Sequence, residues 1–563
     1  MEKEFVFSNL GSLVNEKNNI SPDFEDNKWR IMEYSTGKYK GEMLVTTEAG
    51  LPEDISVDLN LEGLYQIYIS VPRLRVTNYL NVKLSDDLCY TGLMASDKAP
   101  KNWMTEEYVE ELYWKTADLT GQKIVFSKAD SIITSATGVA WVRCVPVDKM
   151  PPAITNKCVQ MHNDEDVAAQ DMQKSDDDYL MKVYPIANTN AEFVSFEFSF
   201  DYDGVPDPGK AHLLGYDTRW DEGNYRYREK ADTIYKKAVD FAHKNGFGIY
   251  AANRMCVSNF VVPYTRFGWN SNFVENHPEF YCKTRIGETV RVCSYAYDEV
   301  QDYVISNFVN ILKYGFDGIT LIMHRGIHIG FDQPVIDRFK ELYPDVDPCT
   351  LPFSDERLHG VLCEFMNKFM TKLRTAVGKD VRINTITDYG IKTSKHLGLD
   401  VEYWAKNGLI DSASHADMEI FENLEGCMSD DNPGLIDLEK YKKELTERHV
   451  VTRKFGCNVD KVCENIPAFE KLRELYGIDV YHVLPWVGRK LPEEYPEVIE
   501  RMEKAGAKKF LSWNTNHLMR DLPEWYTVSH IGNEPEDVEL RKFYRVLTLD
   551  GNYIAEFQPN WRG

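Results

Sequence analysis

The stretch Tyr314-Gly-Phe-Asp-Gly-Ile-Thr-Leu-Ile-Met-His-Arg-Gly326 decides how this chain reads. Asp317 and Gly318 turn the chain out of a preceding helix, and Ile319 to Met323 follow as a short, almost wholly apolar run. A strand of that kind has both faces buried, as in a parallel sheet covered by helices. The run stops at His324-Arg325-Gly326, so polar side chains stand where the strand reaches its carboxyl end. In a parallel α/β barrel that end is the rim that carries chemistry.

Outward from this segment, strand and helix patterns alternate from Pro152 onward. Short strands are predicted at Lys157–Met161, Glu192–Phe200, Gly248–Asn253, Ile319–Met323, Val381–Thr387 and Leu409–Ser414. Helical spacing runs over about 227–245, 298–313 and 356–376, with Ala231, Ile234, Tyr235 and Ala238 on one face of the first. Three segments compete for the last two places. Val450–Arg453 is taken as the seventh strand and Phe510–Trp513 as the eighth, with Val480–Leu484 as the competitor for either. The alternation predicts a (β/α)8 TIM-type barrel over 151–527. Residues 1–150 read differently. Gly41–Val45, Tyr65–Val71, Leu80–Leu84, Lys123–Phe126 and Val139–Val145 are short runs punctuated by Gly, Asn, Asp and Pro, the pattern of an antiparallel β-sandwich. Val147-Asp-Lys-Met-Pro-Pro152 makes a stiff linker between the two. Residues 528–563 read as a β appendage, a hairpin of Tyr544–Leu549 and Tyr553–Phe557 turning at Asp550-Gly551-Asn552, docked on the sandwich.

Bulk properties narrow the function. At 563 residues the chain exceeds what one hydrophobic core supports, so two or three domains are expected. A formal charge of −24, with no basic cluster to offset it, repels a phosphate backbone and argues against nucleic acid as a partner. No run approaches the ~18 apolar residues of a membrane span. The start, Met-Glu-Lys-Glu-Phe-Val-Phe, has no basic segment followed by a long apolar one, as a secretory signal requires. Eleven scattered cysteines without CxxC pairs read as reduced thiols. The expectation is a soluble, acidic, cytoplasmic protein without a cofactor, for which homo-oligomerisation stays open. Aromatic residues make up 12% of the chain, which suits sandwich cores and also sugar-stacking surfaces.

Several segments together resemble a known family. Ala251-Ala-Asn-Arg-Met255, the Asp-Gly-Ile strand with its terminal Arg325, Gly330-Phe-Asp-Gln-Pro-Val-Ile-Asp337 and Phe339-Lys-Glu-Leu-Tyr-Pro-Asp-Val-Asp-Pro348 are similar to uncharacterised glycoside-hydrolase-like barrel proteins. These are relatives of the family 10-like hydrolases, found in environmental and gut bacteria. The resemblance covers about 155–525 and implies a TIM barrel that acts on carbohydrate, often with a β domain in front. The pattern departs at one place. Where many such barrels carry a carboxylate after Asp-Gly-Ile, this chain has Ile322, and the seventh strand carries no Glu.

Glycoside hydrolysis needs two carboxyl groups, one to protonate the leaving oxygen and one to attack or to activate water. Asp388 ends a clean apolar strand before Tyr389-Gly390 and is the first candidate, equally readable as a turn cap. Asp417 is the second, because alternation in Ser414-His-Ala-Asp-Met-Glu419 sets His415, Asp417 and Glu419 on one side if the strand continues; a solvated loop is the alternative. Asp164, in the acidic run after strand one, is the third. Arg254, His324 and Arg325 suit substrate binding or a rim salt bridge. Trp486, Trp513 and Asn514 suit stacking on a sugar ring and bonding its hydroxyls, or burial against a loop. Two rival readings remain open: a metal-dependent lyase, isomerase or hydrolase using His162 with Asp164 or His415 with Asp417 and Glu419, and a non-catalytic carbohydrate-binding barrel.

Overall fold

Eight parallel strands close into a barrel: Val159–Asn163, Ala191–Glu197, Gly248–Arg254, Gly318–Met323, Arg382–Thr387, Ser412–His415, Asp479–Val483 and Phe510–Ser512. They are numbered one to eight below, and strand eight pairs back onto strand one through Val159↔Phe510 and Met161↔Ser512. The computed structural model describes residues 4–549 except 24, 48–49, 74–78, 95–107, 132–135, 164–170, 173–176, 199–229, 258–271, 324–327, 388–389, 417–436, 440–457, 485–493, 520 and 534–543. The seventh place belongs to Asp479–Val483, which pairs with strand six at Ser412↔Asp479 and with strand eight at His482↔Phe510. The expectation for Val450–Arg453 is thereby corrected: that segment lies outside the described residues, and the barrel closes without it. A buried parallel strand is chosen by its place in the ladder, which a short apolar run cannot reveal on its own.

The barrel interior is layered. At the amino-terminal end Phe193 stacks on Tyr250 at 4.0 Å between ring centroids, and Tyr481 meets Phe193 edge-on at 5.4 Å. Gly318 makes room for them, since a Cβ there would lie 2.6 Å from the Arg382 carbonyl oxygen and 3.1 Å from the Tyr250 ring. Asp317 beside it accepts the Ile249 N–H at 2.9 Å, and Asp411, ahead of strand six, accepts the Ile383 N–H at 2.7 Å. Arg374 pairs with Asp411 at 2.6 Å, and Lys509 bridges Glu192 and Asp479 at 2.9 and 2.8 Å. These acids tie strand starts together on the face away from the catalytic rim of such barrels.

The middle layer is polar and closed on itself. Gln160 Nε2 donates to Ser195 Oγ at 3.0 Å, and Ser195 Oγ meets Thr320 Oγ1 at 2.8 Å. Asn384 Nδ2 reaches Thr320 Oγ1 at 3.5 Å, and Asn384 Oδ1 accepts from Ser412 and Ser414 at 2.8 and 3.1 Å. Ser414 Oγ also donates to Gln160 Oε1, which completes the circuit. All of these side chains are essentially buried. The alternate residues of the same strands face the helices: Phe196 packs on Tyr235 of helix Ala231–Lys244, and Phe198 on Phe308 of helix Asp298–Ile311.

Ahead of the barrel the chain forms sheets that are antiparallel except where Ile20–Ser21 runs parallel to Trp29–Ser35. One has five strands in the order Phe5–Phe7, Val142–Pro146, Leu64–Arg73, Tyr108–Asp118 and Tyr544–Thr548. Two have four strands each, built from segments between Ile20 and Val139. Gly41–Val45, Tyr65–Val71 and Leu80–Leu84 lie within these strands, Lys123–Phe126 overlaps Ile124–Lys128, and Val139–Val145 divides between Gly138–Val139 and Val142–Pro146, which belong to different sheets. Tyr544–Thr548 joins the edge of the first sheet at Tyr544↔Leu112, whereas Tyr553–Phe557, the second arm of the expected hairpin, lies outside the described residues. Glu111 anchors this edge, accepting from Trp141 Nε1 at 2.6 Å, Arg143 Nη2 at 2.8 Å and Arg545 Nη2 at 2.8 Å. None of the described cysteines is in a disulfide.

Two glycine substitutions separate packing from helix propensity. Gly318→Ala is expected to destabilise by about 1–3 kcal/mol, because its Cβ has no room against Tyr250 and the Arg382 carbonyl. Gly360→Ala, on the exposed face of helix Glu356–Val377 with no atom near the added carbon, is expected to stabilise by about 0.5–1 kcal/mol. Urea midpoints of the two variants against wild type check both signs.

Candidate functional site

The third interior layer sits at the carboxyl ends of the strands. His162, Glu197 and Arg254 share the inward phase of Gln160, Ser195 and Tyr250 on strands one, two and three. Glu197 Oε1 lies 2.9 Å from His162 Nε2 and 3.4 Å from Arg254 Nε. His162 and Glu197 are buried, and Arg254 is 17% exposed. The indole of Trp513, directly after strand eight, lies flat on the His162 imidazole with centroids 3.8 Å apart and planes 6° from parallel. The stack fixes the plane of the imidazole, and the bond to Glu197 fixes its rotation. His162 Nδ1 has no hydrogen-bond partner among the described residues. The turn bearing Trp513 is tied down in its own right: Thr515 Oγ1 accepts the His162 N–H at 3.1 Å and donates to the Ser512 carbonyl at 2.9 Å. Asn514 in that turn adopts φ 50°, a left-handed conformation that asparagine tolerates. It is buried, and its Oδ1 lacks a partner among the described residues.

Arg254 and Trp513 therefore stand together in this cluster, with Asn514 adjacent in sequence. His415 does not join them. Ser412 and Ser414 point into the barrel, so His415 points out, stacked on Phe469 of helix Val459–Tyr476 at 5.0 Å and near His482 at 6.4 Å. Asp164, His324, Arg325, Asp388, Asp417, Glu419 and Trp486 lie outside the described residues. Glu197 is not among the candidates the sequence offers, and His162 is offered only with Asp164 as a metal ligand; the structure brings the two together. Strand two had been expected to run to Phe200 and strand one to stop at Met161, which put both polar ends too late or too early. A usable signal was present: in Phe193-Val-Ser-Phe-Glu-Phe198, Ser and Glu alternate with Phe, a polar phase inside a strand whose other phase is aromatic. Among the described residues no group of three or more His, Cys, Asp or Glu side chains is placed to hold a metal ion.

Chemically, a buried carboxylate hydrogen-bonded to an imidazole and ion-paired with a guanidinium at the end of a barrel strand is held in one position. The indole–imidazole pair beside it is buried, so Trp513 packs on His162 and braces the imidazole. Arg254 contributes a guanidinium fork at the same rim.

Comparisons with known proteins add little to this geometry. No family model matches the chain, so the family suggested by Gly330–Asp337 and Phe339–Pro348 gains no support from that quarter. No curated protein matches it in sequence. Among solved structures, the glycoside hydrolase domain of PelA from Pseudomonas aeruginosa is 10% identical, with 63% of this chain and 94% of that one covered and a TM-score of 0.32. An α-galactosidase from Thermus thermophilus is 10% identical over 86% of this chain and 90% of its own, TM-score 0.31. A Streptomyces coelicolor protein described as a putative chitinase A is 11% identical over 66% of this chain and 97% of its own, TM-score 0.31. Glycoside hydrolases thus recur among the structural neighbours, at scores too low to argue from. The protein is, on its own strands, a closed eight-stranded α/β barrel with an antiparallel β-rich domain.

The outward placement of His415 has a measurable consequence. Burial, and secondarily His482 beside it, pushes the His415 imidazole down to about 3, and neither ring nitrogen has a partner among the described residues. The folded chain then holds His415 neutral where the unfolded chain protonates it. Its contribution is intact above the ordinary histidine value of about 6.5 and is lost as pH falls from there towards 3, by up to about 1.4 kcal/mol per pH unit. Urea unfolding at several pH values between 7.5 and 4.5 should give a shallower loss for His415→Leu than for wild type; parallel curves would refute the assignment.

Proposed function

We propose that the protein is a glycoside hydrolase that works through carboxylates at the carboxyl-terminal rim of its barrel, with Glu197 as one of them. The observation that carries this reading is the convergence of His162 and Arg254 on Glu197 Oε1, beside the His162–Trp513 stack. An imidazole bond and a guanidinium ion pair on one oxygen suit a carboxylate that stays ionised to attack the sugar or activate water, which leaves the proton-donor role to a second carboxyl group. Asp388 is the preferred partner. It follows Asn384 and Ile386 at steps of two, so the inward phase of strand five, read along the sequence, reaches it. Asp417 and Asp164 are the next candidates. Arg254, with His324, Arg325, Trp486, Trp513 and Asn514, would hold the sugar, and Glu419 would join them if the segment after strand six continues as a strand.

Hydrolysis of a panel of α- and β-linked aryl glycosides and of plant and microbial oligosaccharides, with and without EDTA, tests the proposal. Wild-type turnover is expected to survive EDTA. Glu197→Gln should lower kcat by about 10²–10⁴-fold at an unchanged melting temperature. Asp388→Asn should do the same if it is the partner, and retained activity there would pass the role to Asp417 or Asp164. Turnover untouched by Glu197→Gln, or abolished by EDTA, would sink the reading.

A further inference from the structure

The connection between strands one and two is held by the N-terminal β domain at two separate places. Its described parts are Asp171–Met172 and two 3-10 turns, Asp178–Lys182 and Tyr184–Ile186. At the first place Asp130–Ser131 of the β domain pairs antiparallel with it, Asp130↔Met172 and Ser131↔Asp171. At the second, the Tyr184 hydroxyl donates to Asp87 Oδ1 at 3.1 Å. Asp87 is itself fixed, since its Oδ2 accepts the Leu84 N–H at 2.7 Å and pairs with the Lys115 ammonium.

The same connection reaches into the site. Asn163, the last residue of strand one, donates its Nδ2 to the Lys182 carbonyl at 2.6 Å, and both residues are buried. Its neighbour His162 carries the bond to Glu197. A buried amide that loses its acceptor goes unsatisfied, so Asn163 must follow the Lys182 carbonyl or lose its bond. Lys182 stands two residues from Tyr184 within one continuous pair of turns, so the position of Tyr184 sets that of the carbonyl.

We propose that the N-terminal β domain is a positioning element of the barrel's site: Asp87 holds Tyr184, the turn at Lys182 seats Asn163, and the end of strand one thereby presents His162 to Glu197. This rests on the reading of Glu197 as the site's carboxylate. It assigns the β domain a place in the reaction geometry in preference to an independent sugar-binding role, and makes Asp87 and Tyr184 positioning residues.

Hydrogen–deuterium exchange of the full chain, read by mass spectrometry, tests it with Tyr184→Phe and Asp87→Asn, the first of which removes a single oxygen. Exchange is expected to quicken about threefold or more both at 178–186 and at 159–163, with helix Glu356–Val377 unchanged. On any glycoside that wild type hydrolyses, kcat should fall by about tenfold with KM within about twofold, the signature of a misplaced catalytic group. Faster exchange confined to 178–186, no change at either segment, or an equal rise throughout the chain would each overturn the proposal. If wild type hydrolyses no glycoside, the functional reading fails by itself while the exchange result still decides whether the β domain holds the end of strand one.

Discussion

A closed circuit of hydrogen bonds in the middle of the barrel is the constraint on which the upper part of the structure depends. Gln160, Ser195, Thr320, Asn384 and Ser414 come from strands one, two, four, five and six, and each spends its polar atoms on the next. In a dry interior an incomplete network of this kind costs more than an apolar layer would, so the circuit holds only if all five strands keep register. A slip by one residue would turn Ser195 outward and bring a phenylalanine in. Once the circuit is closed, the residues two places further along are committed as well. His162 and Glu197 then meet at the top of the barrel.

Much of the architecture was legible in the sequence, because buried parallel strands and amphipathic helices leave strong periodic marks. Strand four and helix Glu356–Val377 fall close to where their patterns put them. The seventh strand was harder. Val450–Arg453 and Val480–Leu484 are both short and apolar, and what distinguishes Asp479–Val483 is pairing on both sides, which is a tertiary fact. The site was legible in part. Arg254 and Trp513 end strands cleanly and could be singled out. Glu197 was hidden because it lies within an aromatic run, where a reader looking for polar residues after a strand does not search. His415 shows the converse error: a polar residue at a strand end faces the rim only if its phase is inward, and its neighbours Ser412 and Ser414 hold that phase.

The acidic residues divide by end. Asp317, Asp411 and Asp479 stand at strand starts: Asp317 and Asp411 accept the Ile249 and Ile383 N–H groups, Asp411 pairs with Arg374, and Asp479 pairs with Arg382 and Lys509. Glu197 stands at a strand finish, bonded to the His162 imidazole and ion-paired with Arg254, neither of which belongs to a cap. The Asp-Gly-Ile stretch that reveals the barrel thus describes its floor. Asp317 and Gly318 report how the strands are stitched and packed, and say nothing of the rim above.

The edge strand Tyr544–Thr548 carries a consequence for how the molecule is made. It completes a sheet whose other members lie between Phe5 and Pro146, and it brings Arg545 to Glu111. During synthesis the β domain emerges before the barrel, yet until the ribosome has delivered residue 548 its sheet has an open edge and Glu111 has one guanidinium fewer. The nascent β domain must wait, incomplete, while some 350 residues of barrel pass through the exit tunnel and fold. Assembly of this chain is therefore circular in order: the domain that leaves the ribosome ahead of the barrel is finished only after it.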